Sequence, residues 1–469
     1  MDSTRPLAPI GSVLAALCVV EGALLLCGLA LHKNGDEALL VLLATRDGVI
    51  FAGALLSGLT AAVVLVRAYL GARGETRWFW LAAVLNAVTV TFVLILGEAA
   101  ARLLSSSTPD GRTAVAGIPL LPRSWGATVA RNREILRRAP SGSSYFVPDE
   151  LLGWTIGPDR QSRDRLYASS AEGIRSARPG ITFAGDRPQR RIAVVGDSFT
   201  FGLEVPFEDS WAHRLQQDLG PGTQVLNFGV DGYGVDQAYL RYQRDVRPWR
   251  PDLVIFGFIN HDLYRSMAVY TFVSFPEWEL PYGKPRFVLD GGRLELLNTP
   301  VLAPEQILER GSVFELPFIQ FDRGYQARDW LWHPQYRSRL VRLLLSRFEP
   351  APVPSAQASD AAMTAVNAEL FTSFVELARQ EGSAPYLVYF PSRGDYTGQD
   401  RLAKDGMIEM FRERNIEHDN LTACLAKIGK SRLFIEGRPH YSAAGNAAVA
   451  ACLEPAVRAR LEPSSRPAR

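Results

Sequence analysis

Residue types that carry out nucleophilic acyl chemistry stand at the ends of separate apolar segments in this sequence. Ser198 follows an apolar run in RRIAVVGDSFTFG, Asn260 follows another in GFINHD, and His440 lies in GRPHYSAAGN. An imidazole can take the proton of a serine hydroxyl. Amide N–H groups, such as that of Gly232 in NFGVDGYG, can stabilise an oxyanion. The pattern favours attack on a carbonyl, provided that the fold brings these residues together.

Alternating segments supply the elements that would position these side chains. Strands are predicted at 191–195, 224–228, 253–258, 386–390 and 432–435. Helices are predicted between and after them, at 211–219, 235–245, 361–380, 421–428 and 443–461. This alternation predicts an α/β fold in which a mostly parallel sheet is covered by helices on both faces. The carboxyl ends of parallel strands form one edge, where the four candidate residues are expected to meet.

Composition and charge limit the classes of function. The chain has 469 residues, of which 47% are hydrophobic and 21% charged, so it can bury a sizeable core. Its formal net charge of +2 provides no broad basic field, which argues against nucleic acid as a partner. The sequence has no Cys-x-x-Cys pair, no close cluster of metal-ligating residues and no glycine-rich loop with phosphate-binding spacing. We therefore expect no cofactor and no metal.

Three long apolar segments precede the α/β region, at 11–31, 48–66 and 78–97. Each can cross a hydrocarbon core of about 30 Å as a helix, so three transmembrane helices and a lipid bilayer as partner are predicted. The loop between the second and third segments carries three arginines, and the positive-inside rule places it in the cytoplasm. The α/β region is then expected in the periplasm, outside the inner (cytoplasmic) membrane. A cleaved signal peptide is the alternative for the first segment.

The same patterns predict the domain organisation. We expect a membrane domain at 1–102, a linker at 103–145, an α/β domain at 146–461 and a tail at 462–469. The linker is rich in Ser, Pro, Gly and Arg and should contain one short helix near 129–138. Residues 265–345 interrupt the alternation and predict an insertion whose hairpin turns at Gly291-Gly292. Its aromatic residues either line a cleft or form the insertion's own core: Tyr270, Phe275, Trp278, Trp330 and Trp332.

The order of the four motif-bearing blocks carries a family resemblance. GDS, NFGVDGYG, GFINHD and GRPHYSAAGN follow one another along the chain. Together they resemble the SGNH, or GDSL, hydrolase superfamily over most of residues 148–455. The resemblance implies a flavodoxin-like three-layer sandwich, with Ser198 as nucleophile and His440 as general base. It also implies an oxyanion hole formed by the N–H groups of Ser198 and Gly232 and the side-chain amide of Asn260.

One position departs from the pattern of this superfamily. An aspartate usually precedes the histidine by three residues and orients its ring, but Gly437 occupies that position here. Glu436 could reach the imidazole instead, or a backbone carbonyl could orient it and leave a Ser-His dyad. Alternatively, Glu436 is a surface acid paired with Arg438. His261, in the third block, is the main rival of His440 as the base.

These observations predict an SGNH-type ester hydrolase that is anchored in a membrane. It would remove acyl or acetyl groups from an envelope glycan or lipid through an acyl-enzyme on Ser198. One alternative is an O-acyltransferase acting on an exported polysaccharide, which with three membrane spans would need a membrane partner or an external acyl source. The other is a catalytically silent glycan-binding or assembly module.

The cysteines bear on the compartment. Cys424 and Cys452 lie in consecutive predicted helical regions of the outer domain. An oxidising compartment would permit a disulfide between them, and two buried free thiols are the alternative.

Overall fold

The computed structural model describes residues 67, 70–74, 76–108, 112–138, 145–185, 188–347, 355–398 and 402–462. They divide into two compact units, one assigned to residues 1–128 with 326–352 and a larger one assigned to 129–325 with 353–469. The predicted membrane segments at 11–31 and 48–66 lie outside the described residues.

A five-stranded parallel sheet forms the centre of the larger unit. Its strands are β1 Arg190–Val195, β2 Thr223–Asn227, β3 Leu253–Phe258, β4 Ala384–Tyr389 and β5 His418–Asn420. Their order across the sheet is β2-β1-β3-β4-β5, and every neighbouring pair is parallel. This order is that of flavodoxin-like sheets, in which sites form beyond the carboxyl ends of β1 and β3.

Both faces of the sheet are apolar, which explains why helices cover both. In β1, Ile192 and Val194 belong to one core cluster, whereas Ala193 and Val195 belong to another, and all four are fully buried. The principal helices are α1 Ser198–Phe201, α2 Trp211–Leu219, α3 Val235–Arg241, α4 Asn260–Arg265, α5 Asp360–Gln380, α6 Leu402–Glu413 and α7 Ala443–Leu461. Helices α2 and α7 contribute to the cluster of Ile192, and α3 and α5 to that of Ala193. The predicted α/β architecture with a parallel sheet between helical layers is confirmed.

The insertion carries the predicted hairpin. Its strands Arg286–Asp290 and Arg293–Leu297 pair antiparallel, and the turn residues Gly291 and Gly292 both have positive φ, at 53° and 82°. That conformation suits a tight hairpin turn and favours glycine at both positions. Just before the hairpin, the buried Lys284 ammonium forms an ion pair with Asp236 of α3, which attaches the insertion to the core.

Short elements complete the larger unit. Its antiparallel strand pairs are Phe146–Asp149 with Gly153–Ile156, and Ala168–Ser169 with Arg175–Ser176. Its short helices are Thr271–Ser274, Pro304–Leu308, Arg393–Thr397, Thr422–Leu425 and Lys430–Leu433. Cys424 and Cys452 form a disulfide between the helical region after β5 and α7, which settles the alternative that the sequence left open.

The smaller unit contains the apolar helix Thr76–Leu103. With 28 residues and a mean hydropathy of 2.3, it is the one helix among the described residues that is long and apolar enough to cross a membrane. A three-stranded antiparallel sheet follows it, formed by Ser105–Ser107, Thr113–Val115 and Ile118–Pro119. The helix Arg339–Arg347 belongs to the same unit, and the helix Trp125–Arg138 begins in it. Three transmembrane helices are therefore not confirmed.

Two sequence predictions of secondary structure differ from the structure. The strand expected at 432–435 is wrong, because Lys430–Leu433 is a helical turn and the fifth strand is His418–Asn420. This strand pairs with β4 over three residues of the polar sequence HDN, so it has no apolar run to reveal it. The segment 103–145, expected to be a linker, contains the small antiparallel sheet, whereas its helix Trp125–Arg138 agrees with the short helix predicted near 129–138. Strands of two or three residues are too short to produce a period in the sequence.

Candidate functional site

The turn after β1 presents Ser198 at the start of α1. Gly196 makes this turn possible, because its φ is +150° and a Cβ there would collide with the carbonyl oxygen of Gly257 in β3. Asp197 then caps α1: one carboxylate oxygen accepts from the backbone N–H of Phe199 at 2.9 Å and of Thr200 at 3.3 Å. The serine is thus fixed at the carboxyl edge of the sheet.

The buried guanidinium of Arg265 contacts the carboxylate of Asp197 in this turn. Arg265, at the end of α4, donates from Nη1 to Oδ2 of Asp197 at 3.2 Å and to Oδ1 of Asp262 at 2.7 Å. Burial and the neighbouring Asp197 charge raise the pKa of Asp262 well above its ordinary value, while Arg265 opposes that rise. Arg265 therefore ties the nucleophile turn to α4, and nothing in the sequence pattern distinguished it from other arginines.

Ser198 and His440 form a hydrogen-bonded pair across the sheet edge. His440 Nε2 lies 3.0 Å from Ser198 Oγ, and His440 Nδ1 lies 3.0 Å from Oε2 of Glu204. With the carboxylate accepting from Nδ1–H, Nε2 is left as the acceptor for the serine hydroxyl. The three side chains have the geometry of a nucleophile, base and orienting acid.

Glu204 is the residue that sequence reasoning missed. It lies six positions after the serine and adopts a left-handed backbone conformation, with φ at +69°. Its backbone N–H donates to the hydroxyl of Tyr167 at 2.8 Å, and its carboxylate lies 3.6 Å from Arg438 Nη1. Eight non-glycine residues among those described have a positive φ, and this backbone conformation has no signature in the sequence.

The prediction that Glu436 orients His440 is wrong in geometry. The turn that precedes the histidine is closed by two backbone hydrogen bonds, from Arg438 N–H to the Ile435 carbonyl and from Ile435 N–H to the His440 carbonyl, both at 3.1 Å. Glu436 and Gly437 stand at the exposed tip of this turn. Glu204, and not Glu436, contacts the imidazole Nδ1, and Glu204 is also the carboxylate that faces Arg438.

Arg393 forms hydrogen bonds to the backbone of the turn that precedes His440. Its Nε donates to the Arg438 carbonyl at 2.7 Å and its Nη2 donates to the Ile435 carbonyl. The guanidinium also stacks on Phe434, with 4.7 Å between the guanidinium carbon and the ring centroid. Arg393 therefore fixes the backbone that carries His440.

The predicted oxyanion residues lie at the same edge. Gly232 has a positive φ of 79° and lines the cleft beside Ser198, where a Cβ would lie 2.9 Å from Leu280. Asn260 begins α4 and is 4% exposed, and its Oδ1 accepts from the backbone N–H of Lys404 at 3.0 Å. His261 is exposed and lines the cleft, but the imidazole in contact with Ser198 is that of His440.

The cleft around Ser198 has a volume of about 800 Å³. Its apolar lining includes Phe146, Phe199, Leu203, Phe275, Trp278 and Leu280. Its charged lining is Asp231, Glu277, Glu279, Arg265 and Arg393. Phe275 and Trp278 of the insertion stack with ring centroids 4.3 Å apart, and both side chains line the cleft. These two aromatic residues therefore do more than form a local core.

Asp231 is one of three acidic residues that line this cleft, with Glu277 and Glu279. Burial raises its pKa, an effect that the charges of His440 and Arg265 partly oppose. Among the described residues, no group of three or more His, Cys, Asp or Glu side chains has the arrangement of a metal site.

The comparisons with known proteins return solved structures of lipolytic enzymes and esterases. A lipase/acylhydrolase from Enterococcus faecalis is 13% identical, with 59% of this chain and 100% of that chain covered and a TM-score of 0.32. A member of the lipolytic protein G-D-S-L family from Veillonella parvula is 11% identical, with 56% and 96% covered and a TM-score of 0.30. A carbohydrate acetylesterase family member from Sinorhizobium meliloti is 15% identical, with 58% and 99% covered and a TM-score of 0.27.

These three structures are distant from this chain, with TM-scores of 0.27 to 0.32. No protein-family model matches the chain, and no curated protein does either. The chemistry of the site therefore rests on its own geometry.

Proposed function

We propose that this protein is a serine ester hydrolase of the SGNH type. The observation that carries the proposal is the continuous set of contacts from Ser198 Oγ through both nitrogens of His440 to Glu204, each 3.0 Å long. A serine hydroxyl is a weak nucleophile until an oriented base accepts its proton. This arrangement supplies such a base and a carboxylate to stabilise its protonated form.

The reaction would proceed through an acyl-enzyme. Ser198 Oγ attacks the ester carbonyl as its proton passes to His440 Nε2, and the carbonyl oxygen becomes an oxyanion. The N–H groups of Ser198 and Gly232 and the amide of Asn260 are the proposed donors to that oxyanion. His440 then gives its proton to the leaving alkoxide. A water molecule next attacks the acyl-enzyme as its proton passes to His440, the bond between the acyl carbon and Ser198 Oγ breaks, and the proton returns to Oγ as the acid leaves.

We propose that the substrate is an acyl or acetyl ester of an envelope glycan or lipid. The stacked pair Phe275 and Trp278 offers an aromatic surface, and Arg393 and the cleft carboxyls offer hydrogen-bonding groups beside it. The disulfide Cys424–Cys452 is consistent with an oxidising, extracytoplasmic compartment. The apolar helix Thr76–Leu103 would anchor the enzyme in an inner membrane, with its catalytic domain in the periplasm.

An O-acyltransferase is the second candidate. The cleft volume of about 800 Å³ exceeds what an acetyl ester alone needs and lies within the range that accommodates drug-sized ligands, so an acceptor sugar could bind beside the acyl-enzyme. In that case the sugar hydroxyl would take the place of water. The intact set of contacts among serine, imidazole and carboxylate counts against a catalytically silent module.

Turnover of p-nitrophenyl acetate by the full chain in detergent tests the proposal. We expect Ser198→Ala and His440→Ala to abolish turnover, while the matched histidine change His261→Ala retains most of it. Acid quenching should trap a chain that is heavier by one acetyl group, in wild type but not in Ser198→Ala. Turnover that survives Ser198→Ala would refute the proposal. Serine-dependent formation of an acylated sugar, when sugars are added, would favour the transferase.

A further inference from the structure

The helix Arg339–Arg347 has apolar side chains that pack inside its own unit and others that remain exposed. Leu340 and Leu343 pack against the small core cluster of Ala101, Val115 and Leu120. Leu344 and Leu345 instead remain 49% and 46% exposed. Helical spacing places them on one side together with the half-buried Val341, so an apolar stripe continues from the packed leucines onto the exposed side of the helix.

The position of this helix is fixed by the apolar helix Thr76–Leu103. The Glu98 carboxylate accepts from Ser338 Oγ at 2.7 Å, from Arg339 N–H at 3.2 Å and from Leu340 N–H at 2.9 Å, so it caps the start of the short helix. Gly97 allows the close approach, because a Cβ there would lie 3.0 Å from Leu340 Cδ2. The short helix therefore begins beside residues 97 and 98.

Helix length places that contact at the edge of a bilayer. The 28 residues of Thr76–Leu103 span about 42 Å, whereas a hydrocarbon core is about 30 Å thick and needs about 20 residues. The uncharged segment 78–97 matches that thickness. Glu98 and Arg102, which form an ion pair at 2.6 Å, then mark the beginning of the headgroup region.

Charge on the short helix suits the same location. The segment from Arg337 to Arg347 reads RSRLVRLLLSR and contains four arginines and no acidic residue. Trp332, just before it, is 54% exposed, and tryptophan is enriched where a membrane meets water. Basic helices with an apolar face and a nearby tryptophan are typical of segments that lie flat in the membrane interface.

We propose that Arg339–Arg347 lies in the interface of a bilayer containing anionic lipids, with Val341, Leu344 and Leu345 facing the acyl chains. This inference depends on the proposed membrane crossing of Thr76–Leu103 and does not depend on esterase activity. It adds a second membrane contact beside the point where the chain leaves the bilayer. The occupant of the exposed stripe is thus lipid.

Depth-dependent fluorescence quenching tests the inference on the full chain in phosphatidylcholine–phosphatidylglycerol vesicles. Cys18 and Cys27 are first replaced by alanine, and Leu345→Cys is then labelled with an environment-sensitive fluorophore. Val90→Cys in the apolar helix and Glu409→Cys on an exposed surface of α6 serve as references. Each vesicle preparation carries nitroxide either at the lipid headgroup or near the end of the acyl chain, and unchanged thermal unfolding verifies each variant.

We expect shallow nitroxide to quench the label at position 345 several times more strongly than the label at 409, and more strongly than deep nitroxide does. The label at position 90 should show the opposite depth preference, with deep nitroxide the stronger quencher. Quenching at 345 equal to that at 409, with position 90 quenched from within the bilayer, would overturn the interfacial helix alone. No quenching at position 90 would overturn the membrane crossing and this inference with it. Neither outcome depends on whether the protein hydrolyses esters, so failure of this inference and failure of the proposed function can be told apart.

Discussion

Replacing Glu204 with glutamine isolates the contribution of its charge to ester cleavage. The change keeps the size of the side chain but removes the negative charge that faces the imidazolium formed during the reaction. At the observed 3.0 Å, Coulomb's law gives about 1.4 kcal/mol at the dielectric constant of water and about 5.5 kcal/mol at an effective value of about 20. Since about 1.4 kcal/mol corresponds to a tenfold change in rate, these limits span about tenfold to about 10⁴-fold.

The surroundings of Glu204 place the expected loss between those limits. Its side chain is 22% exposed and also faces Arg438 at 3.6 Å, so solvent and a second charge weaken its effect on His440. We expect kcat/KM for Glu204→Gln to fall about 10²- to 10³-fold, at the middle of the range that the Coulomb limits allow. Removal of the orienting acid in serine proteases can cost about 10⁴-fold, which is consistent with the upper limit.

The assay is p-nitrophenyl acetate hydrolysis at neutral pH, with kcat and KM measured separately. Glu436→Gln is the matched control, because Glu436 is the exposed glutamate that stands four residues before the same histidine. It should retain wild-type activity. Full activity in Glu204→Gln, or an equal loss in both variants, would refute the assignment of the orienting acid.

Three further predictions concern support of the site and of the fold. Arg393→Ala should lower kcat more than it raises KM, because it releases the backbone that carries His440. Arg393→Lys should restore part of kcat, since an ammonium can donate to one of the two carbonyls. Steady-state kinetics on p-nitrophenyl acetate separate the two constants. Burial raises the pKa of Asp231, so ionisation destabilises the fold as pH rises above the ordinary carboxyl value of 3.8. The melting temperature of Asp231→Asn should therefore equal that of wild type below pH 3.8 and exceed it at neutral pH. Equal melting temperatures across the whole pH range would contradict this. The disulfide closes a loop with a sequence separation of 28, so Cys452→Ser should lower the free energy of unfolding by about 3–4 kcal/mol, measured by denaturant titration with and without reductant.

Sequence patterns predicted most of the α/β fold because its central elements are long and apolar. The segments 253–258, 211–219 and 443–461 match β3, α2 and α7 residue for residue. The fifth strand was missed, since three polar residues at a sheet edge give no periodic signal. Regular elements are thus predictable where a buried face repeats, and short edge strands are not.

The site was predictable where residue type and strand end coincide. Ser198 and His440 meet as expected. Ser198 follows β1, whereas His440 was identified by its motif alone, because the strand predicted before it at 432–435 is a helical turn. Glu436 was the candidate acid, beside a Ser-His dyad without one, because it lies close to the histidine along the chain. Glu204 reaches the ring through a left-handed backbone conformation and a hydrogen bond from its N–H to Tyr167, neither of which a local pattern encodes.

The origin of the three groups along the chain determines how the site can fail. Ser198 and Glu204 belong to one continuous segment of seven residues, whereas His440 arrives from a turn 236 positions after the glutamate. Nucleophile and carboxylate therefore come from one local segment, whereas the base between them comes from a distant one. Loss of order in that turn would break both imidazole hydrogen bonds in one event. Activity would then switch off as a unit instead of declining by degrees.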